Sequence, residues 1–293
     1  MSTSHSAIES LIHDTGVRGP CAWRSLGHGV GGTTWRVTCG DSAWFVKTQK
    51  DALDIFTAEA DGLKALMDCG AVRVPRVLGC GEQETDAFLV MEWLELGQIK
   101  DVSASLLGSG LARQHRCTGQ HFGWWRSNFI GATPQFNAPS ENWVSFLRDY
   151  RLQFQLQLAA ENGFRGSLQT AGARLLEKLP VFFEGYTPAP SLLHGDLWGG
   201  NWGVLKNGVP VIFDASVYYG DREADVAMTQ LFGGFPPEFY AAYEHEWPLD
   251  AGYALRRMLY QLYHVLNHLN LFGSGYLGGA ERMIGQLLSE THA

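Results

Sequence analysis

The octapeptide His194-Gly195-Asp196-Leu197-Trp198-Gly199-Gly200-Asn201 sets an acid and an amide five residues apart, behind the apolar run Ser191-Leu192-Leu193. Thirteen residues after Asn201, the apolar run Val211-Ile212-Phe213 ends in Asp214. Phosphoryl transfer asks for this set. It needs a carboxylate beside the attacking hydroxyl, and an amide and a second carboxylate as hard oxygen ligands for Mg²⁺ on nucleotide phosphates. Taken singly, Asp196 reads as a turn residue and Asp214 as a strand-end cap. In this order and spacing they point to Asp196 as catalytic base and to Asn201 and Asp214 as metal ligands.

The first third of the chain supplies the complement. Trp44-Phe45-Val46-Lys47 is an apolar strand ending in a lysine that can reach the α- and β-phosphates of ATP. Glu59, twelve residues on, falls in the next helical segment and can pair with Lys47 to fix its rotamer. Gly29, Gly31 and Gly32 lie in a turn between two strands, where amides without Cβ crowding can approach phosphate. A GxxxxGK[ST] loop is lacking, which excludes a Walker-type site. Met91, Glu92 and Trp93 close the last strand of this region, in position to offer backbone groups to an adenine edge. His264 and His268 stand four apart on a helical stretch, but no third ligand accompanies them, so structural or substrate-lining roles outweigh metal binding.

These residues need elements to carry them. Ser6 and Glu9 suggest a capping box for a first helix with Ile8, Leu11 and Ile12 on one face. Three β-favouring runs follow at 21–27, 33–39 and 42–49, then a helix over 54–69, then two further strands at 73–81 and 87–94. Beyond residue 96 the pattern turns helical. Helices are expected over 103–117, from Trp143 to Leu158 and over 167–184, with a loop at 121–142 and a β-and-loop insert around the octapeptide. Asp221 reads as a cap for the helix after it, and Asp225 as a brace for the catalytic loop. The expected architecture is α+β and two-lobed: a small antiparallel sheet with one main helix over 1–94, and a larger helical part over 95–293.

The chain has 293 residues, 45% of them hydrophobic, and a formal charge of −8. Such a chain buries a full core, and its acidic balance disfavours nucleic acid and anionic membrane as partners. No secretory leader or long apolar run is evident, so a cytoplasmic setting is expected. The five cysteines form no CxxC pair and read as scattered reduced thiols. Nothing in the sequence specifies an oligomeric state.

The segments LLHGDLWGGN, FDASVYYGDREADVAM, LFGGFPPEFYAAYE and LYHVLNHLNLFGSGYL resemble the fructosamine kinase (ketosamine 3-kinase) family, in that family's order. FVK at 45–47, AEADGL at 58–63, RVPRVL at 73–78 and FGWWRSNFIGATPQ at 122–135 extend the likeness over roughly residues 20–285. The resemblance implies a protein-kinase-like fold and ATP- and Mg²⁺-dependent phosphorylation of the 3-hydroxyl of a ketosamine, whether a small molecule or a glycated protein amine. The product is unstable, so the family is deglycating. By matching position Asp196 is the base, Asn201 and Asp214 the Mg²⁺ ligands, Lys47 the phosphate-binding lysine and Glu59 its partner. Trp198, Asn128, Trp124 and His268 are candidate substrate contacts by position. The glycine-rich wording GHGVGGTTW and Ala215 in place of proline depart from the family's usual pattern. Gly195 stands where protein kinases carry the arginine that reads a loop phosphate, so control by loop phosphorylation is not expected. An aminoglycoside- or choline-type kinase and a non-catalytic pseudokinase are the rival readings.

Overall fold

The computed structural model describes residues 3–29 and 32–291; Gly31 lies outside them. Helix α1 (Thr3–Asp14) precedes strands β1 (Cys21–Gly29), β2 (Gly32–Cys39) and β3 (Ser42–Lys50), helix α2 (Leu53–Cys69), and strands β4 (Val77–Gln83) and β5 (Asp86–Glu92). The strands form one antiparallel sheet in the order β1-β2-β3-β5-β4. Strand alternation decides what each face does. Val37, Trp44, Val46, Phe88 and Val90 pack with Ile8 and Ile12 of α1. Phe45, Ala87, Leu89 and Met91 pack on the opposite side with Phe56, Leu63 and Leu66 of α2. Lys47, two residues from Phe45, therefore faces α2. The expected capping box is not formed, because Ser6 lies inside α1; Glu9 instead accepts a 2.8 Å hydrogen bond from the Trp23 indole.

The rest is mostly helical. It comprises α3 (Asp101–His115), the hairpin β6 (Asn128–Ile130) and β7 (Thr133–Gln135), α4 (Trp143–Leu147), α5 (Phe154–Glu161) and α6 (Ser167–Lys178). Short strands β8 (Ser191–Leu193), β9 (Trp202–Val204), β10 (Pro210–Ile212) and β11 (Tyr218–Gly220) follow, then α7 (Glu223–Thr229), α8 (Pro237–Glu246), α9 (Tyr253–Phe272) and α10 (Leu277–Glu290). Two expectations need correction here. The segment expected as loop at 121–142 contains the β6–β7 hairpin, and the helix expected from Trp143 onward is interrupted by a π-helical turn over Arg148–Gln153. At that wide turn sits the fully buried Arg151, whose guanidinium donates to Phe136 O and Asn137 Oδ1, both at 2.7 Å. β9 pairs with β10 and β8 with β11, and this folds the octapeptide back against the segment that carries Asp214.

The cysteines are a further correction. Cys21 and Cys39 are directly opposed on β1 and β2 and are joined as a disulfide, with Cα atoms 4.3 Å apart. Cys69, at the end of α2, is joined to Cys117, just past α3, with Cα atoms 6.3 Å apart. Linear spacing hides both pairs, because each partner arrives by tertiary contact. Cys80 remains a free thiol. The Cys69–Cys117 link closes a 48-residue separation, and constraint of the unfolded chain by such a loop stabilises by about 2–4 kcal/mol. Cys117→Ser is therefore expected to melt several degrees below the oxidised protein, with dithiothreitol abolishing the difference. Equal melting without reductant would contradict the link.

Candidate active site

The site begins with an ammonium that has left water. Lys47 is 8% exposed, and its Nζ donates to Glu59 Oε1 at 2.8 Å, Glu59 Oε2 at 2.9 Å and Asp214 Oδ1 at 2.5 Å. Glu59 reaches it because it falls between Phe56 and Leu63 on the α2 stripe turned toward the sheet. Burial alone would pull the lysine's pKa down. The two carboxylates outweigh it and hold the amine well above its ordinary range. The same ammonium keeps Asp214 below the usual carboxylate range despite desolvation.

The octapeptide forms a loop clamped from below. Asp225, buried at the start of α7, accepts from the backbone N–H of His194 at 2.7 Å and of Gly195 at 2.9 Å. It also takes a 3.2 Å bond from His115, whose other ring nitrogen meets Tyr243. The brace expected of Asp225 is thus present. Gly195 has φ +83°, and a Cβ there would lie 2.1 Å from Ser216 O, so no side chain fits. His194 donates from Nε2 to Phe213 O at 2.9 Å and accepts the Asp196 N–H at Nδ1, which fixes one neutral tautomer. Asp221 caps the α7 end by accepting from Glu223 N–H, and it also binds the hydroxyls of Tyr186 and Tyr260.

Above this clamp, Asn201 Nδ2 donates to Asp196 O at 2.8 Å and Asp196 Oδ2 at 3.3 Å. Its Oδ1 carries no hydrogen bond among the described residues. A cavity of about 420 Å³ collects Lys47, Glu59, Asp196, Asn201 and Asp214, together with Trp198 and Asn128. A neighbouring cavity of about 460 Å³ is walled by Phe45, Met91, Glu92, Trp93, Leu96 and Phe213, a largely apolar slot of the size and chemistry of a purine site. Asp214 lines both cavities. The N–H groups of Glu92 and Trp93 are spent on Arg76 O and Ala43 O, so these two are not free edge donors. Gly32, at φ +86°, packs against Thr48 O where a Cβ would come within 2.3 Å.

The expected substrate contacts separate. Trp198 stands over the mouth, 39% exposed, with its indole seated where a Cβ on Gly200 would collide with it. Asn128 lines the wall, but its side chain is engaged inward, with Val217 O, Gln135 and Asn137. Trp124 does not line the cavity and packs on Tyr219 with ring centres 5.3 Å apart. His268 also lies off the lining and contacts Phe232, Phe272 and Tyr276. Its helical neighbour His264, one turn earlier, comes within 3.9 Å of Asp196 Oδ1. The i, i+4 pair was the available sequence signal; it did not say which of the two imidazoles faces the loop.

Burial, with the charges of Asp214 and Asp225 adding to it, pushes Asp196 up to about 7. The ordinary value is 3.8, so the folded form binds its proton more tightly than the unfolded chain and loses stability as pH rises from about 4 to about 7. In metal- and nucleotide-free protein, Asp196→Asn should therefore melt above wild type at pH 8, by on the order of 2–4 kcal/mol, with the gap closing toward pH 4. A variant that melts no higher at pH 8 would contradict the desolvated carboxylate.

The fructosamine kinase family profile spans residues 7–290. A Synechocystis sp. PCC 6803 protein assigned as a ketoamine kinase is 42% identical over 267 residues, covering 90% of each chain. A chloroplastic protein-ribulosamine 3-kinase of Oryza sativa subsp. japonica is 41% identical, covering 84% of this chain and 73% of its own. A Haemophilus somnus 129PT crystal structure assigned as fructosamine-3-kinase superposes with a TM-score of 0.88 at 28% identity over 96% of both chains. The clamped loop, the buried lysine and this match along nearly the whole length make the chain a member of the fructosamine kinase family, with that family's kinase-like α+β fold.

Proposed function

We propose that the protein transfers the γ-phosphoryl group of ATP to the 3-hydroxyl of a ketosamine, a fructosamine or ribulosamine, free or carried on a protein amine, and so promotes deglycation. The observation that carries this reading is the convergence of Lys47, Glu59, Asp196, Asn201 and Asp214 at one cavity in a chain of this family. Asp196 takes or orients the hydroxyl proton while the new O–P bond forms, the bond from the γ-phosphorus to the β–γ bridging oxygen breaks, and ADP departs. Lys47, freed from Asp214, would bind the α- and β-phosphates, with Glu59 holding its rotamer. The slot beside Met91, Glu92 and Trp93 would take the adenine.

Mg²⁺ fits the donor set. The hydrogen-bond-free Oδ1 of Asn201 and the carboxylate of Asp214 are hard oxygens, and Mg²⁺ completes its shell with phosphates and water rather than an all-protein cage. Bound there, it would offset charge on the phosphates. We read residues 1–94 as the nucleotide lobe and 95–293 as the catalytic and acceptor lobe. The relatives named above are ketoamine and ribulosamine kinases, so an aminoglycoside- or choline-type acceptor is not favoured. The complete set of charged groups speaks against a pseudokinase.

ADP release measured with fructosyl-lysine, ribulosyl-lysine and an aminoglycoside should show turnover on the ketosamines alone. Asp196→Asn should lower that turnover by about a thousandfold while leaving ADP binding intact. Turnover confined to the aminoglycoside, or an active Asp196→Asn, would refute the reading. Asp214→Ala is expected to lose Mg²⁺-dependent nucleotide affinity in a calorimetric titration; affinity that still rises with Mg²⁺ would remove Asp214 from the metal site.

A further inference from the structure

Helix α9 is pinned to the catalytic part of the molecule along one face. Arg256 forms a buried two-pronged pair with Glu223 at 2.7 and 3.0 Å, and Tyr260 donates its hydroxyl to Asp221. The next position on that face, four residues on, is His264. The adjacent Tyr263 donates to Gln135 Oε1 at 2.7 Å, and Gln135 in turn donates to Asn128 Oδ1 and to Ser216 O. The rotation of α9 about its axis is therefore set from both sides, and it turns the His264 ring toward the loop that carries Asp196.

The ring arrives there without a partner. His264 is 5% exposed, and its Nδ1 is shut off from solvent with no hydrogen bond to any described residue. The facing carboxylate oxygen of Asp196, at 3.9 Å, is too distant to be bonded. Burial, assisted by the neighbouring His268, drives the imidazole down to about 3, so it is neutral, with one N–H and one lone pair. Buried polar atoms are nearly always satisfied, and an unsatisfied one beside a reactive carboxylate calls for a missing ligand. The spacing says which kind. An oxygen about 2.8 Å from both atoms subtends roughly 90°, an angle that suits a hydroxyl accepting from the imidazole and donating to the carboxylate. Because His264 does not line the cavity of Asp196 and its Nδ1 is closed to solvent, the hydroxyl enters with a shift of the ring.

We propose that His264 is the second protein contact of the phosphoryl-accepting hydroxyl: Nδ1–H donates to the same sugar oxygen whose proton Asp196 receives. This rests on the reading of the protein as a ketosamine kinase. The imidazole keeps its proton throughout. The hydroxyl proton passes to Asp196, the oxygen lone pair not engaged by His264 forms the O–P bond, and ADP carries away the bond electrons. The contact orients the oxygen along the line of transfer, which in a loose transition state matters more than basicity.

The test compares His264→Phe, which keeps a ring and removes the N–H, with His264→Asn, which returns an amide N–H near the Nδ1 position. Steady-state constants are measured for ATP and for fructosyl-lysine or ribulosyl-lysine, whichever wild type prefers, with melting curves alongside. His264→Phe should lose about tenfold to a hundredfold in kcat/KM for the ketosamine, while KM for ATP stays within twofold. His264→Asn should recover most of that loss. A His264→Phe enzyme within twofold of wild type on the ketosamine overturns the contact. So do equal losses in both variants with KM for ATP rising in parallel, the pattern of a packing residue. Wild type inactive on every ketosamine but active on an aminoglycoside would instead overturn the acceptor class, a separate failure.

Discussion

The Lys47 ammonium, buried between two carboxylates, is the interaction on which the rest of the site depends. A lone ammonium in that position would shed its proton, and a lone carboxylate would gain one. Together they keep the ammonium charged and hold Asp214 ionised, while burial and the nearby Asp214 push Glu59 the other way. The Asp214 carboxylate is what would draw the metal cation, and the ammonium is what the phosphates would take over. Glu59 comes from a helix and Asp214 from a segment 167 residues beyond Lys47, so the cluster adds charge to the apolar core that these distant stretches of chain already share.

Below it, the catalytic loop is held by backbone more than by side-chain packing. Asp225 fixes two consecutive N–H groups, Gly195 closes against Ser216 O, and Asn201 ties the loop's far end to Asp196. Asp225 and Asn201 also act on the Asp196 pKa, in opposite directions, while each restraint fixes a position. This suits phosphoryl transfer, where prealigned groups offset charge without reorganising during the reaction. The neutral state of His194 follows from the same economy. One ring nitrogen donates to Phe213 O and the other accepts from the loop, so the imidazole is a strut between the two segments that carry the acids.

Much of this was legible in the sequence because the chemistry is compressed into short motifs. Asp196, Asn201 and Asp214 are separated by fixed, short intervals, and Lys47 ends an apolar strand. Glu59 was legible as a carboxylate twelve residues on, in the next helical segment. What stayed hidden depends on contacts between distant elements. The cysteine pairs arise from strand register and from the end of α2 meeting the chain just past α3, and neither leaves a local pattern. The π turn at Arg151 reflects a guanidinium satisfied by the β6–β7 side of the molecule. Trp124 and His268 lie close in sequence to site residues, yet helix and loop geometry turns them toward aromatic neighbours. His264 was visible only as half of a pair; which half faces Asp196 was settled by the anchoring of α9 through Arg256 and Tyr260.

The most direct measurement is a crystal structure of the protein with Mg²⁺, a non-hydrolysable ATP analogue and a ketosamine. The adenine is expected beside Met91–Trp93, the metal on Asn201 and Asp214, Lys47 on the phosphates, and a sugar hydroxyl between Asp196 and the terminal phosphorus. Phosphates bound away from Lys47, or a metal that leaves both Asn201 and Asp214 unligated, would contradict it.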